Sequence, residues 1–121
     1  MSAAKPTVAI LVTMDTKAPE ALFVASCLEK AGTTPWIVDL SLMPHESTGA
    51  DMTGGDVAEA GGHSWDDLAK MDRRAASDAM LEGAIKVVRG RFDDGQLEGA
   101  IGLGGANGTT MACAIMRALP Y

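Results

Sequence analysis

One stretch combines glycines, hydroxyls and an amide in a spacing suited to holding an anion: Gly102-Leu103-Gly104-Gly105-Ala106-Asn107-Gly108-Thr109-Thr110. It follows an apolar run, Leu97 to Leu103, and precedes an apolar helical pattern from Met111 to Leu119, so it reads as the turn from a buried strand into a helix. The first amides of a helix have no intrahelical partner, and the macrodipole adds roughly half a positive charge, so an anion is stabilised there. Gly104, Gly105 and Gly108 are expected to take left-handed backbone angles and let a phosphate approach, while Thr109 and Thr110 add hydroxyl donors. The spacing is not Walker A, since no Lys follows Gly108, and not G-x-G-x-x-G, since Asn107 stands at the third glycine. Phosphate binding is the expected chemistry, with tight packing of the helix on the sheet as the structural alternative.

Further candidates fall at the ends of predicted strands, where open α/β sheets place their ligand crevice. Asp15, Thr16 and Lys17 follow the first strand. The first two are equally candidates to cap the next helix, and Lys17 is placed to reach a phosphate. Asp39 closes the second strand, where it contacts a ribose hydroxyl or hydrogen-bonds a neighbouring loop. Arg73 and Arg74 open a long helix against its dipole, which points to an anionic partner or to plain solvation. His45 and His63 lie in loops without ligand spacing, so no metal site is expected, although His63 is a candidate for proton transfer.

These residues need elements to position them. Thr7 to Thr13 is a continuous apolar, β-branched run suited to a strand buried on both faces. A helix is expected from Pro19 to Ala31, with Leu22, Phe23, Ala25, Ser26, Cys27 and Leu28 on its apolar face and Gly32 just past its end. Thr34 to Leu40 is the second strand. Ser41 to Asp72 is polar and interrupted by glycines, with one short helix at Asp56 to Ala60 and Trp65 as a packing anchor. Asp72 is expected to cap a helix running to Arg91, and Leu97 to Leu103 is the third strand. The order β-α-β-(long loop)-α-β-α implies a three-layer, Rossmann-like α/β fold with parallel strands in the order 2-1-3. A fourth strand is expected after the last helix, which reaches Pro120-Tyr121.

At 121 residues the chain has the size of a single domain. A net charge of -6 and an isoelectric point near 4.7 argue against a nucleic-acid surface. No apolar run approaches the roughly 20 residues of a membrane span and no leader is visible, so a cytoplasmic protein is expected. Cys27 and Cys113 are expected to be buried, reduced thiols.

Asp15-Thr16-Lys17, Val38-Asp39, Asp72-Arg73 and the glycine loop ahead of an Ala-Met-Arg-Ala-Leu-Pro-like helix resemble the ATP-binding N-terminal domain family of the tomato mosaic virus resistance protein. The resemblance spans essentially the whole chain. It departs at Ala106 and Asn107, where that family's loop usually reads Gly-Gly-Ser-Gly-Gly-Thr; Asn keeps access to left-handed angles, but the serine hydroxyl is lost. The resemblance implies ATP, with Mg2+ as its companion, bound on Gly104 to Thr110 with Lys17 or Arg73 assisting. It implies that residues 1–121 are one subdomain of a longer two-subdomain protein, with the remainder and a homo-oligomer as partners. Two other functions stay open. One is a small-molecule phosphotransferase or hydrolase half-site, with Asp15 or Asp39 as base or magnesium ligand. The other is a structural or oligomer-forming interaction domain whose glycine loop binds no nucleotide.

Overall fold

The computed structural model describes residues 5–46 and 49–120, with the backbone alone at residues 106 and 107. Three strands form a parallel sheet in the order β2-β1-β3: β1 is Thr7–Val12, β2 is Thr34–Asp39 and β3 is Gly99–Leu103. Ile10, Leu11 and Val12 of the central strand are fully buried, as a strand covered by helices on both faces requires. The α/β architecture and the strand order are those expected from the sequence.

Helix α1 (Met14–Lys30) covers one face, and α2 (Gly54–Ala60), α3 (Trp65–Lys70), α4 (Arg73–Asp93) and α5 (Ala106–Arg117) lie on the other. The α1 side of the core is built on Ile10, Val12 and Ile37, and the opposite side on Ala9, Leu11, Trp36, Val38, Met80, Val88 and Ile115. Arg91 lies over the Trp36 ring at 4.5 Å and so closes that side with a cation–π contact.

Several boundaries move. Helix α1 starts at Met14 rather than Pro19, because the chain already turns at Thr13; a kink at Lys17 (φ -125°, ψ 21°) then accommodates Pro19, whose ring would clash with the carbonyl of Asp15 in a straight helix. The face α1 buries also differs from the expected one. Ala21 and Ala25 are inside, with Ala18, Val24 and Leu28 beside them, whereas Leu22 is 45% and Phe23 70% exposed. Cys27 and Cys113 are free but exposed, since each sits on the outward side of its helix. The long excursion is more ordered than its polarity suggests. Helices α2 and α3 are each opened by a reciprocal cap, Thr53 with Asp56 and Ser64 with Asp67. Helix α5 begins at Ala106, five residues before the expected start, so most of the glycine stretch belongs to a helix.

Helices α2 and α4 meet at a glycine contact. A Cβ on Gly83 would collide with the carbonyl oxygen of Val57, while one on exposed Gly90 of the same helix would meet nothing within 4 Å. Gly83→Ala is therefore expected to lower stability by about 1–3 kcal/mol, and Gly90→Ala to raise it by up to about 1 kcal/mol. Urea unfolding midpoints of the two variants against the parent check both signs.

Candidate functional site

The carboxyl ends of the three strands open into a cleft of about 480 Å³, within the usual range for a small-molecule site. Thr13, Asp15 and Thr16 form one wall, Ser41, Leu42 and Met43 a second, and Gly105, Gly108 and Arg73 the third. The crevice rule thus brings together Asp15, Thr16, Arg73, Gly105 and Gly108 from elements far apart in the chain. It does not bring in all the expected residues. Among the described residues, Lys17, Asp39, Gly104 and Thr109 do not line the cleft, and Thr110 lines a neighbouring groove between α4 and α5 that shares Arg73. The side chains of Ala106 and Asn107 lie outside the described residues.

Asp39 is fully buried. Its Oδ1 accepts from Met14 N at 3.0 Å, Ser41 N at 3.0 Å and Ser41 Oγ at 2.5 Å, and its Oδ2 faces His45 Nε2 at 2.8 Å. A carboxylate with four such donors is engaged in the fold, so of its two expected roles Asp39 takes that of bonding the neighbouring loops. Ser41 extends the arrangement: its Oγ accepts from Asp15 N at 3.2 Å, and its carbonyl accepts from Trp65 Nε1 at 2.9 Å. Trp65 is therefore an anchor, as expected. Its indole occupies the space above Gly54, where a Cβ would come within 2.6 Å of Cε2, and it meets the His45 ring edge-on at 5.2 Å.

Asp39, Ser41 and His45 are the residue types of a hydrolytic triad but not its geometry. In a triad the imidazole serves its two partners with two different nitrogens. Here Nε2 faces both Asp39 and Ser41 Oγ, the latter at 3.1 Å, and the serine hydroxyl donates directly to the carboxylate. The cluster is a structural anchor. His63 follows α2, where its backbone N–H donates to Ala58 O at 3.0 Å, and it is not among the residues that line the cleft.

The glycines divide by task. Positive φ occurs at Gly32, Gly49, Gly62 and Gly95, not in the 104–108 loop, so left-handed geometry is not what those glycines supply. A Cβ on Gly102 would sit 2.6 Å from Ala112 Cβ, and one on Gly104 would sit 3.0 Å from Gly108 Cα; these two allow α5 to approach β3 closely. Gly105 and Gly108 line the cleft instead, and a Cβ on Gly105 would meet nothing within 4 Å. Thr109 donates its hydroxyl back to Gly104 O at 3.1 Å, which closes the turn. Gly105 is the N-cap of α5 and offers no side-chain oxygen to the first amides.

Thr13, Ser41, Leu42 and Met43 were not singled out in the sequence. The signal was the same crevice rule, applied to the residues that leave β2 as well as those that leave β1 and β3.

The family profile matching residues 6–121 is described as the N-terminal domain of an uncharacterised protein family, UPF0261. The chain belongs to this family. A UPF0261 protein of Brucella suis is 37% identical over 116 residues, which are 95% of this chain and 28% of the relative. A Clostridium tetani UPF0261 protein is 34% identical over 111 residues, 91% of this chain and 28% of that protein. The chain thus spans little more than a quarter of the length of these relatives. The match corrects the resemblance to the tomato mosaic virus resistance protein: the family is UPF0261, and these relatives carry that family name. Two of the motifs behind the resemblance, Asp15-Thr16-Lys17 and the glycine loop, lie at strand-to-helix turns, which α/β folds share for packing reasons, and the loop departs from that family's pattern at Ala106 and Asn107.

Removal of the buried carboxylate tests the anchor. Asp39→Ala leaves the Met14 and Ser41 amides without their acceptor, and a loss of about 3 kcal/mol is expected from unsatisfied buried donors. Denaturant unfolding followed by tryptophan fluorescence checks this; a loss below about 1 kcal/mol would show that water replaces the carboxylate readily.

Proposed function

We propose that the cleft binds a nucleotide, ATP with Mg2+, with its phosphates at the N-terminus of α5. The observation that carries this reading is the start of a 12-residue helix that has no side-chain cap and opens into the cleft beside a cation. Arg73 makes no ion pair with any described residue, so its guanidinium is available to a phosphate. Asp15 is the carboxylate lining the cleft and is the group to share a magnesium ion with phosphate oxygens. Leu42 and Met43 give the opposite wall an apolar surface for a base or ribose face.

Nucleotide binding alone does not make an enzyme. A phosphotransferase half-site would use the same cleft and differ by turnover, with the acceptor held by other parts of the longer protein. A purely structural glycine turn is favoured by one observation, the close approach of Gly102 to Ala112, and it implies an interaction domain without nucleotide. As a nucleotide module the protein would work in the cytoplasm; among its described residues no helix is long and apolar enough to cross a membrane. Self-association would use the exposed apolar side chains of α1, Phe23 foremost.

Calorimetric titration of Mg–ATP into the protein is the direct test. Gly105→Val is expected to keep the fold, because a Cβ there has open space, and to weaken binding at least about tenfold by occupying the phosphate position. Arg73→Ala should weaken it about ten- to hundredfold, the range of one charge-assisted hydrogen bond. Absence of binding heat in the parent, or equal affinity in parent and Gly105→Val, would remove the phosphate assignment.

A further inference from the structure

The two edges of the sheet are treated differently. In a parallel sheet, successive residues direct their N–H and C=O groups alternately to either neighbour. On β2 the outward groups are taken: Ile37 N donates to the Asp51 carboxylate at 2.8 Å, Asp39 N donates to Met52 O at 2.9 Å, and Ile37 O accepts from Met52 N at 2.9 Å. That edge is closed by the returning chain. On β3, Glu98 N donates inward to Thr7 O at 2.9 Å, so the alternation turns Gly99, Ile101 and Leu103 outward. No described residue bonds to their N–H groups. The strand Gly-Ala-Ile-Gly-Leu also lacks the charges, proline or bulge by which a solvent-exposed edge is normally blunted.

We infer that this open edge receives a fourth strand, parallel and apolar on both faces, supplied by the part of the longer UPF0261 polypeptide that lies outside these 121 residues.

Both faces beside the edge are apolar. On the α1 side, Ile37, Ile10 and Ile101 stand in register as one row; the first two are 3% and 0% exposed, while Ile101 is only half-buried for want of a neighbour. On the other side a groove of about 340 Å³ runs along the start of β3, bordered by Phe92, Leu97, Met116 and Leu119, and the one charged residue of its lining, Glu98, has its carboxylate engaged by Thr7 N. A strand seated here would be covered above and below, the environment of buried parallel strands.

Direction follows from the crossover. Helix α5 carries the chain back to the start of β3, where Leu119 and Pro120 share the groove with Leu97 and Gly99. A right-handed connection onward lays the next strand parallel to β3. The source follows from length. The chain matches an N-terminal domain and its alignment covers 28% of the Brucella suis relative, so the larger part of that polypeptide is tethered to this region at high effective concentration. A second copy pairing through β3 about a two-fold axis would instead set the strands antiparallel and depend on concentration.

Hydrogen exchange at single-residue resolution, on this 121-residue chain and on the full-length Brucella suis relative, tests the inference. In the chain alone, the amides of Ala100 and Gly102 should be protected and those of Ile101 and Leu103 should exchange close to the rate of an open peptide. In the full-length relative, the residues aligned with Ile101 and Leu103 should exchange about a hundredfold more slowly. Equal exchange in both proteins would overturn the inference. So would protection in the chain alone that grows with its concentration alongside dimer formation, which would assign the edge to a second copy.

Discussion

A carboxylate buried without solvent costs several kcal/mol unless it is hydrogen-bonded, and Asp39 meets that condition by drawing two segments, the start of α1 and the stretch after β2, onto itself. It receives the first amide of α1, the backbone and hydroxyl of Ser41 and the His45 ring. Through Ser41 it also fixes Trp65, and so α3, although α3 makes no bond to the carboxylate itself. Two of the three cleft walls, the β1–α1 turn and the segment after β2, are thereby held to one another by a single side chain. Their separation is set by bond lengths near 3 Å rather than by loop flexibility.

The same interaction distinguishes the two helix starts that border the cleft. Helices α1 and α5 both start at the carboxyl edge of the sheet, and each presents unpaired amides and the positive end of a dipole. At α1 the internal carboxylate and the Ser41 hydroxyl take the first two amides, so the charge is neutralised from within. At α5 the cap residue is Gly105, which has no side chain to offer. The asymmetry is chemical, not positional, and it leaves the start of α5, on the wall shared with Arg73, as the end without a side-chain cap.

What could be read from the sequence follows the range of the forces involved. The buried strands were legible because a continuous β-branched run such as Val8 to Val12 is a local signature of burial on two faces, and the order 2-1-3 follows from crossover handedness. Asp72 was legible as a cap because its acceptor and the Ala75 amide are three residues apart. Helix α3 carried an equally local signal, Ser64 and Asp67, in a stretch whose glycines suggested loop. The engagement of Asp39 was only half legible: its position at a strand end marks a crevice, but Met14 lies 25 residues away and only the folded sheet brings them together. The exposed face of α1 was misread because the side packed on the sheet carries the small residues Ala21 and Ala25 while the larger Leu22 and Phe23 stand outside, so side-chain size and hydrophobicity do not mark the buried face there. The glycine loop was misread in a similar way. Its composition signalled left-handed turns, whereas Gly102 and Gly104 are required by the proximity of Ala112 and Gly108, a contact between strand and helix.

Strand β3 links the cleft to the open edge. Its carboxyl end leads into the turn that places Gly105 in the cleft, while its outward backbone faces the groove bordered by Met116 and Leu119. In a parallel sheet, the carboxyl end of any strand laid against β3 arrives at the same crevice, beside the start of α5. The wall made of Gly105, Gly108 and Arg73 would then become an interior wall with further residues beyond it. All nine described residues that line the cleft come from this one small domain. The edge of β3 and the cleft are thus coupled through one strand, because whatever packs against its outward backbone ends beside Gly105.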